Sequence, residues 1–115
     1  MLISTAPFIA GWRVQETKGH VFGLVVRSRG LGGNVMAGLR SIGGGEIHEY
    51  TSLLEDTRRQ AIDRMVQNAT MMGGNAVISM RFDSSEMAST MTEIVAYGTA
   101  VVVVPDSQAP QPPSE

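Results

Sequence analysis

Arg40, Tyr50 and Arg58 are the side chains of this sequence best suited to bind something. Arg40 closes a short apolar-periodic segment, Tyr50 begins a longer one, and Arg58 lies two turns further along it. If both segments are helical, the three converge near the glycine run at 43–45. Two guanidiniums and a phenolic O–H would form a cationic pocket for a small anion, because guanidinium takes oxyanions bidentately. The same arginines have a more ordinary use. They can tie helix ends to carbonyls, or to an acid such as Glu16 or Asp83, and ion-pair networks place arginines in such positions.

Metal chemistry has a narrower basis. His20 and His48 are the only histidines, there is no cysteine, and neither HxxH nor HExxH spacing occurs. His48 does lie beside Glu46 and Glu49, so these three are the candidate ligands. A specific zinc or copper site needs three or four convergent donors. One chain does not supply them at this spacing, although a ring could bring together copies of one residue. Met87 and Met91 carry soft thioethers that suit Cu(I), but methionine more often fills gaps in cores and interfaces. The turn RGLGGN at 29–34 follows a strand pattern and opens a helix pattern, as a phosphate loop does. It lacks the Gly-Lys-Ser/Thr sequence and a complete GxGxxG, so a tight turn is the expected role. No GxSxG elbow occurs, and Asp56 and Asp63 fall on a solvated helix face. No catalytic residue is assigned. The chain is expected to be a binding or structural protein without a cofactor. An enzyme using the Arg40 and Arg58 pocket is the alternative.

The elements that must position these residues follow from periodicity. Residues 51–72 form an amphipathic helix, with Leu54, Ala61, Ile62, Met65, Val66, Ala69 and Met72 on one side and Asp56, Gln60, Asp63 and Gln67 opposite. Arg58 falls inside the apolar stripe. Ser52 with Glu55 matches a capping box, although the helix can begin as early as Glu46. Gly73 or Gly74 ends it. A second, shorter helix is expected at 35–42, with Met36, Leu39 and Ile42 inward. Strands are expected at 1–5 (an edge strand), 12–18, 20–29, 76–83 and 90–104, with a turn at Lys18 and Gly19. On the third of these, Phe22, Leu24 and Val26 alternate with Val21, Gly23 and Val25; both faces are apolar, so both should be covered. At 76–83, Ala76, Ile78, Met80 and Phe82 alternate with Ser79, Arg81 and Asp83, and Val77 breaks the pattern. The last strand is apolar on both faces in its valine-rich half. That is more apolar surface than one helix covers, so a partner copy is expected.

The chain has 115 residues, 43% hydrophobic and 17% charged, which fits one globular domain. Its net charge is −2, with 9 Lys+Arg, which argues against nucleic acid or an anionic membrane as the main partner. The first dozen residues lack a basic n-region and a long apolar run, so a cytoplasmic protein with no membrane span is expected. The domain should occupy 1–104. Residues 105–115 hold four of the five prolines and should form a disordered tail. Strands, helices, then strands gives an α+β fold with a small, largely antiparallel sheet covered by one long and one short helix.

These features resemble the YbjQ-like family. The resemblance rests on Arg40, Gly44, Gly45, Tyr50, Leu54, Arg58, Ala61, Met65, Ala69 and Gly73, on the GGNAV block, and on GTAV at 98–101. It spans roughly residues 2–103. It implies a compact subunit of a homopentameric ring from a widespread bacterial family described as heavy-metal-binding, with no assigned function. It also implies that a metal ion could be bound. Where the family carries an acidic residue this chain has Asn34, and where it carries a basic one this chain has Glu46. A site there would include Asn34 with Arg40, Tyr50 and Arg58, with its charge altered.

Overall fold

A computed structural model describes residues 1–28, 48–88 and 91–106. Strand β1 is Leu2–Ile3, β2 is Trp12–Ser28, helix α1 is His48–Met71, β3 is Ala76–Ala88 and β4 is Met91–Pro105. The four strands form one mixed sheet in the order β1-β3-β4-β2. β1 pairs with β3 in parallel, and the other two ladders are antiparallel. The fold is α+β, as the order of elements implied. The short helix expected at 35–42 and the tail beyond 106 lie outside the described residues, as do Asn34, Arg40 and Glu46.

Helix α1 starts at His48, so Ser52 lies within it and does not cap it. Its end is a Schellman motif. Gly73 has φ +87°, its N–H donates to Thr70 O at 2.9 Å, and Gly74 N–H donates to Ala69 O at 2.9 Å. Gly73 is therefore the left-handed residue. The buried stripe is Thr57, Ala61, Met65 and Ala69, one turn apart throughout, while Leu54 is 40% exposed. Arg58 lies beside this stripe and is exposed, not within it.

The helix packs on Val21, Val25, Val77, Met80, Ile94, Ala96 and Ala100. It comes closest at Gly23, where even a methyl group would stand 2.2 Å from Ala61 O. Only glycine lets the helix backbone approach the strand so closely.

Three local phase shifts correct the alternation read from sequence. Lys18 and Gly19 do not make a turn. β2 runs straight through them, with bulges between Val14 and Glu16 and between Thr17 and Gly19. Gly19 takes φ +126° there, and pairing with the 15-residue β4 holds the strand together across both bulges. The first bulge moves Glu16 to the face opposite Val14. In β3, a bulge between Ile78 and Arg81, with Ser79 at φ 55°, flips the phase once more. Val77, Met80 and Phe82 then face the helix, while Ala76 and Ile78 face away. Val77 is no exception once that extra residue is counted.

Among the described residues, the face of the sheet opposite α1 is covered only at one end. Val101 and Val103 pack there with Ala76, Ile9 and Ile78, under the connection between β1 and β2. That connection is held by Ser79 N–H to Ala6 O at 2.9 Å and Met80 N–H to Ser4 O at 3.0 Å. In the valine-rich half of β4, Val101 and Val103 are thus buried by their own chain, while Val102 and Val104 are partly exposed. The uncovered apolar surface lies on β2 and mid-β4. Phe22 is 50% exposed, Val26 44%, Tyr97 43% and Leu24 36%. One helix has one apolar stripe, so it covers one face.

Candidate functional site

Two features of the described residues could serve function. The first is a groove on the helix side, where the first turns of α1 pass over the far ends of β3 and β4. Its volume is about 370 Å³, and Thr51, Leu54, Glu55, Arg58, Ser84, Thr92 and Ile94 line it. The helix supplies Thr51, Leu54, Glu55 and Arg58 because positions three and four apart share a face. The strands supply Ser84 and Ile94, which lie opposite each other in the β3–β4 register. The Arg58 guanidinium carbon stands 4.9 Å from the centroid of the Phe82 ring, a cation–π contact. Glu55 lies 3.8 Å from Arg59 one turn on, an exposed pair worth little. Beside the groove, Arg27 Nε donates to Thr57 Oγ1 at 3.2 Å, and Arg27 Nη2 lies 3.4 Å from Asp56 Oδ2. Thr57 Oγ1 in turn donates to Leu53 O at 2.8 Å.

Of the residues singled out from sequence, Arg58 alone can be placed by its side chain in this groove. Tyr50, His48 and Glu49 lie in the first turn of α1. Arg40, Asn34 and Glu46 lie outside the described residues. Sequence reading missed Phe82, Ser84 and Thr92 as neighbours of Arg58. They come from strands far along the chain, and no local spacing marks them.

The second feature is the open sheet face. Phe22 stands across from Tyr97, Leu24 from Val95 and His20 from Thr99. The His20 and Phe22 rings lie 6.5 Å apart and 7° from parallel. Trp12 and Val14, 36% and 42% exposed, share this face further along β2.

Side chains engage some backbone groups of β2 and β3. On β2, Asn68 Nδ2 donates to Phe22 O at 2.8 Å and Arg64 Nη1 donates to Leu24 O at 2.5 Å. On β3, Arg81 Nη1 donates to Met80 O at 2.8 Å and Thr5 O at 2.7 Å, and Ser84 N–H donates to Asp83 Oδ1 at 2.9 Å. Side chains that occupy edge backbone groups discourage strand addition there.

A resident metal finds no ready set of donors here. Among the described residues, no three His, Cys, Asp or Glu side chains converge. His20 is stacked on Phe22 on the open face, and Glu16 is engaged by Lys18 at 2.8 Å. Among the described residues, no helix is long and apolar enough to cross a membrane.

A family model described as "Putative heavy-metal-binding" (YbjQ) matches residues 1–104. A UPF0145 protein of Bradyrhizobium sp. (strain ORS 278) is 59% identical over 105 residues, which is 91% of this chain and 95% of the relative. A UPF0145 protein of Methanoregula boonei is 53% identical over 112 residues, 97% of this chain and 93% of the relative. The relatives come from archaea as well as bacteria, so the family is wider than the bacterial one the resemblance implied. Among solved structures, a protein of unknown function of the DUF74 family from Pediococcus pentosaceus aligns with TM-score 0.59 and 15% identity. It covers 90% of this chain and 98% of that one, and it supports the fold alone.

Proposed function

This chain belongs to the YbjQ family, and we propose that it works as a self-assembling cytoplasmic ring protein, a binding and assembly subunit rather than an enzyme. The observation that carries this reading is the open sheet face. The shortest dimension of the chain is 16 Å, the depth of one helix on one sheet. Phe22, Leu24, Val26 and Tyr97 are therefore left partly in water. Completing the burial of four half-covered side chains is worth about 4–6 kcal/mol. Association costs about 4–15 kcal/mol before any gain appears. The patch must therefore be extended by Trp12 and Val14 on the same face. In this reading the face meets a different surface on the neighbouring copy, a head-to-tail contact that closes into a ring when the rotation between copies closes. The pentameric number is what the family resemblance implies.

Light scattering coupled to size-exclusion chromatography at micromolar concentration tests this. The wild type should run as a multimer. Phe22→Glu should run as smaller species with an unchanged circular-dichroism spectrum, because a carboxylate on that face cannot be buried unpaired. A monomeric wild type, or a folded Phe22→Glu variant of unaltered mass, would refute it.

One observation favours a second reading, in which the ring holds a divalent transition-metal ion between subunits. His20 lies on the face proposed to meet a neighbour, so assembly could bring to it donors that one chain's described residues do not converge. Calorimetric titration of the assembled protein with Zn²⁺, Cu²⁺ and Ni²⁺ should then show saturable heat that His20→Ala removes. Heat indifferent to that substitution, or none, goes against it.

A further inference from the structure

We propose that the groove under the first turns of α1 is a binding site for a small monocarboxylate with an aliphatic body. The site lies within one chain, so it does not rest on the ring. Three observations point to this ligand class. First, the Arg58 guanidinium carbon lies over the Phe82 ring, 4.9 Å from its centroid. Its N–H groups lie in the guanidinium plane, the geometry that takes a carboxylate with two parallel hydrogen bonds. That cation–π contact restrains the head beforehand, so less side-chain entropy is lost on binding. Second, Leu54 and Ile94 line the groove together with that cation and the hydroxyl-bearing Thr51 and Ser84. Ile94 is 6% exposed, a firm apolar floor, whereas Leu54 is 40% exposed and can be covered by a ligand. Third, Glu55 lies on the same rim. A second negative charge on the ligand would share the groove with that carboxylate, which disfavours dicarboxylates and phosphate dianions. A volume of about 370 Å³ is at the small end of ligand cavities, enough for a short branched acid.

Saturation-transfer NMR and calorimetry on the full-length protein, with isovalerate as the probe, test the assignment. Isovalerate should bind saturably with a dissociation constant in the millimolar range. Its uncharged counterpart, isovaleramide, should bind at least about tenfold more weakly, as expected for loss of a charge-assisted pair. Arg58→Lys keeps the charge but loses the planar fork, and should also weaken isovalerate by about tenfold. Ser84→Ala should weaken it less. Circular dichroism and the oligomeric mass of both variants should match the wild type, which separates a lost site from a lost fold or a lost ring. Three results would overturn the proposal: no saturable isovalerate signal, equal binding of acid and amide, or undiminished binding by folded Arg58→Lys. Inorganic phosphate competing as strongly as isovalerate would overturn the ligand class.

Discussion

Gly23→Ala is expected to destabilise this protein by about 3 kcal/mol, at the upper end of what overpacking costs. The added methyl group would stand 2.2 Å from Ala61 O, 2.3 Å from Met65 N and 2.9 Å from Arg64 C. All three are backbone atoms of α1, so no side-chain rotamer can relieve the clash. The helix must lift from β2 as a unit. Lifting it would stretch the bonds from Asn68 to Phe22 O and from Arg64 to Leu24 O, which anchor the helix to the same strand. Urea unfolding measures the loss as a lower midpoint at unchanged slope. Gly19→Ala is the useful contrast. Its methyl group would meet only Met72 Cε at 3.7 Å, so its cost is that of φ +126° alone. If Gly23→Ala lost less than about 1 kcal/mol, the helix would be sliding freely over the sheet, and the close approach would not be a fixed feature.

Met65→Ala is the second large effect, expected at about 2–5 kcal/mol. Met65 is 0% exposed and is among the largest fully buried side chains of the described core. It sits in the cluster with Val21, Val25, Ala61, Met80 and Ile94. Truncation removes its transfer energy and leaves a void. The neighbours Ala61 and Ala69 are too small to fill that void by changing rotamer. Met65→Leu keeps most of the volume and should cost less than about 1.5 kcal/mol. Thermal and urea unfolding of the pair separate cavity formation from shape change. Equal losses for Ala and Leu would mean that shape, not volume, governs this position. Because Gly23 touches the Met65 backbone, the effects of Gly23→Ala and Met65→Ala should fail to add, and a double-mutant cycle would measure the coupling.

Much of this architecture was legible residue by residue. The spacing of Ala61, Met65 and Ala69 announced a helix and its buried side, and Gly73 announced its end. The long alternation ending at Val104 announced β4, and the order of elements announced an α+β fold. The candidate site was legible only as Arg58. Its neighbours Phe82, Ser84 and Ile94 share no local signal with it, because sheet pairing brings them together across a long stretch of chain. The expectation that Arg58 lay inside the apolar stripe failed because Thr57 takes that place. Its hydroxyl bonds to Leu53 O and accepts from Arg27, so a polar side chain can be buried there at little cost.

What the amino-acid order settled by itself was therefore local: element types, the glycine stop, and a chain with more apolar strand surface than one helix can shield. Which surface stays uncovered was decided only in three dimensions. The bulges after Val14, Thr17 and Ile78 each shift the strand phase by one residue, and a shift of one exchanges the two faces. The β1–β2 connection then shelters Val101 and Val103, so the open face falls to Phe22, Leu24, Val26 and Tyr97. Periodicity carries no information about which of two apolar faces a single helix will choose. Gly23 decides it, as the place on β2 where the helix backbone can come within contact.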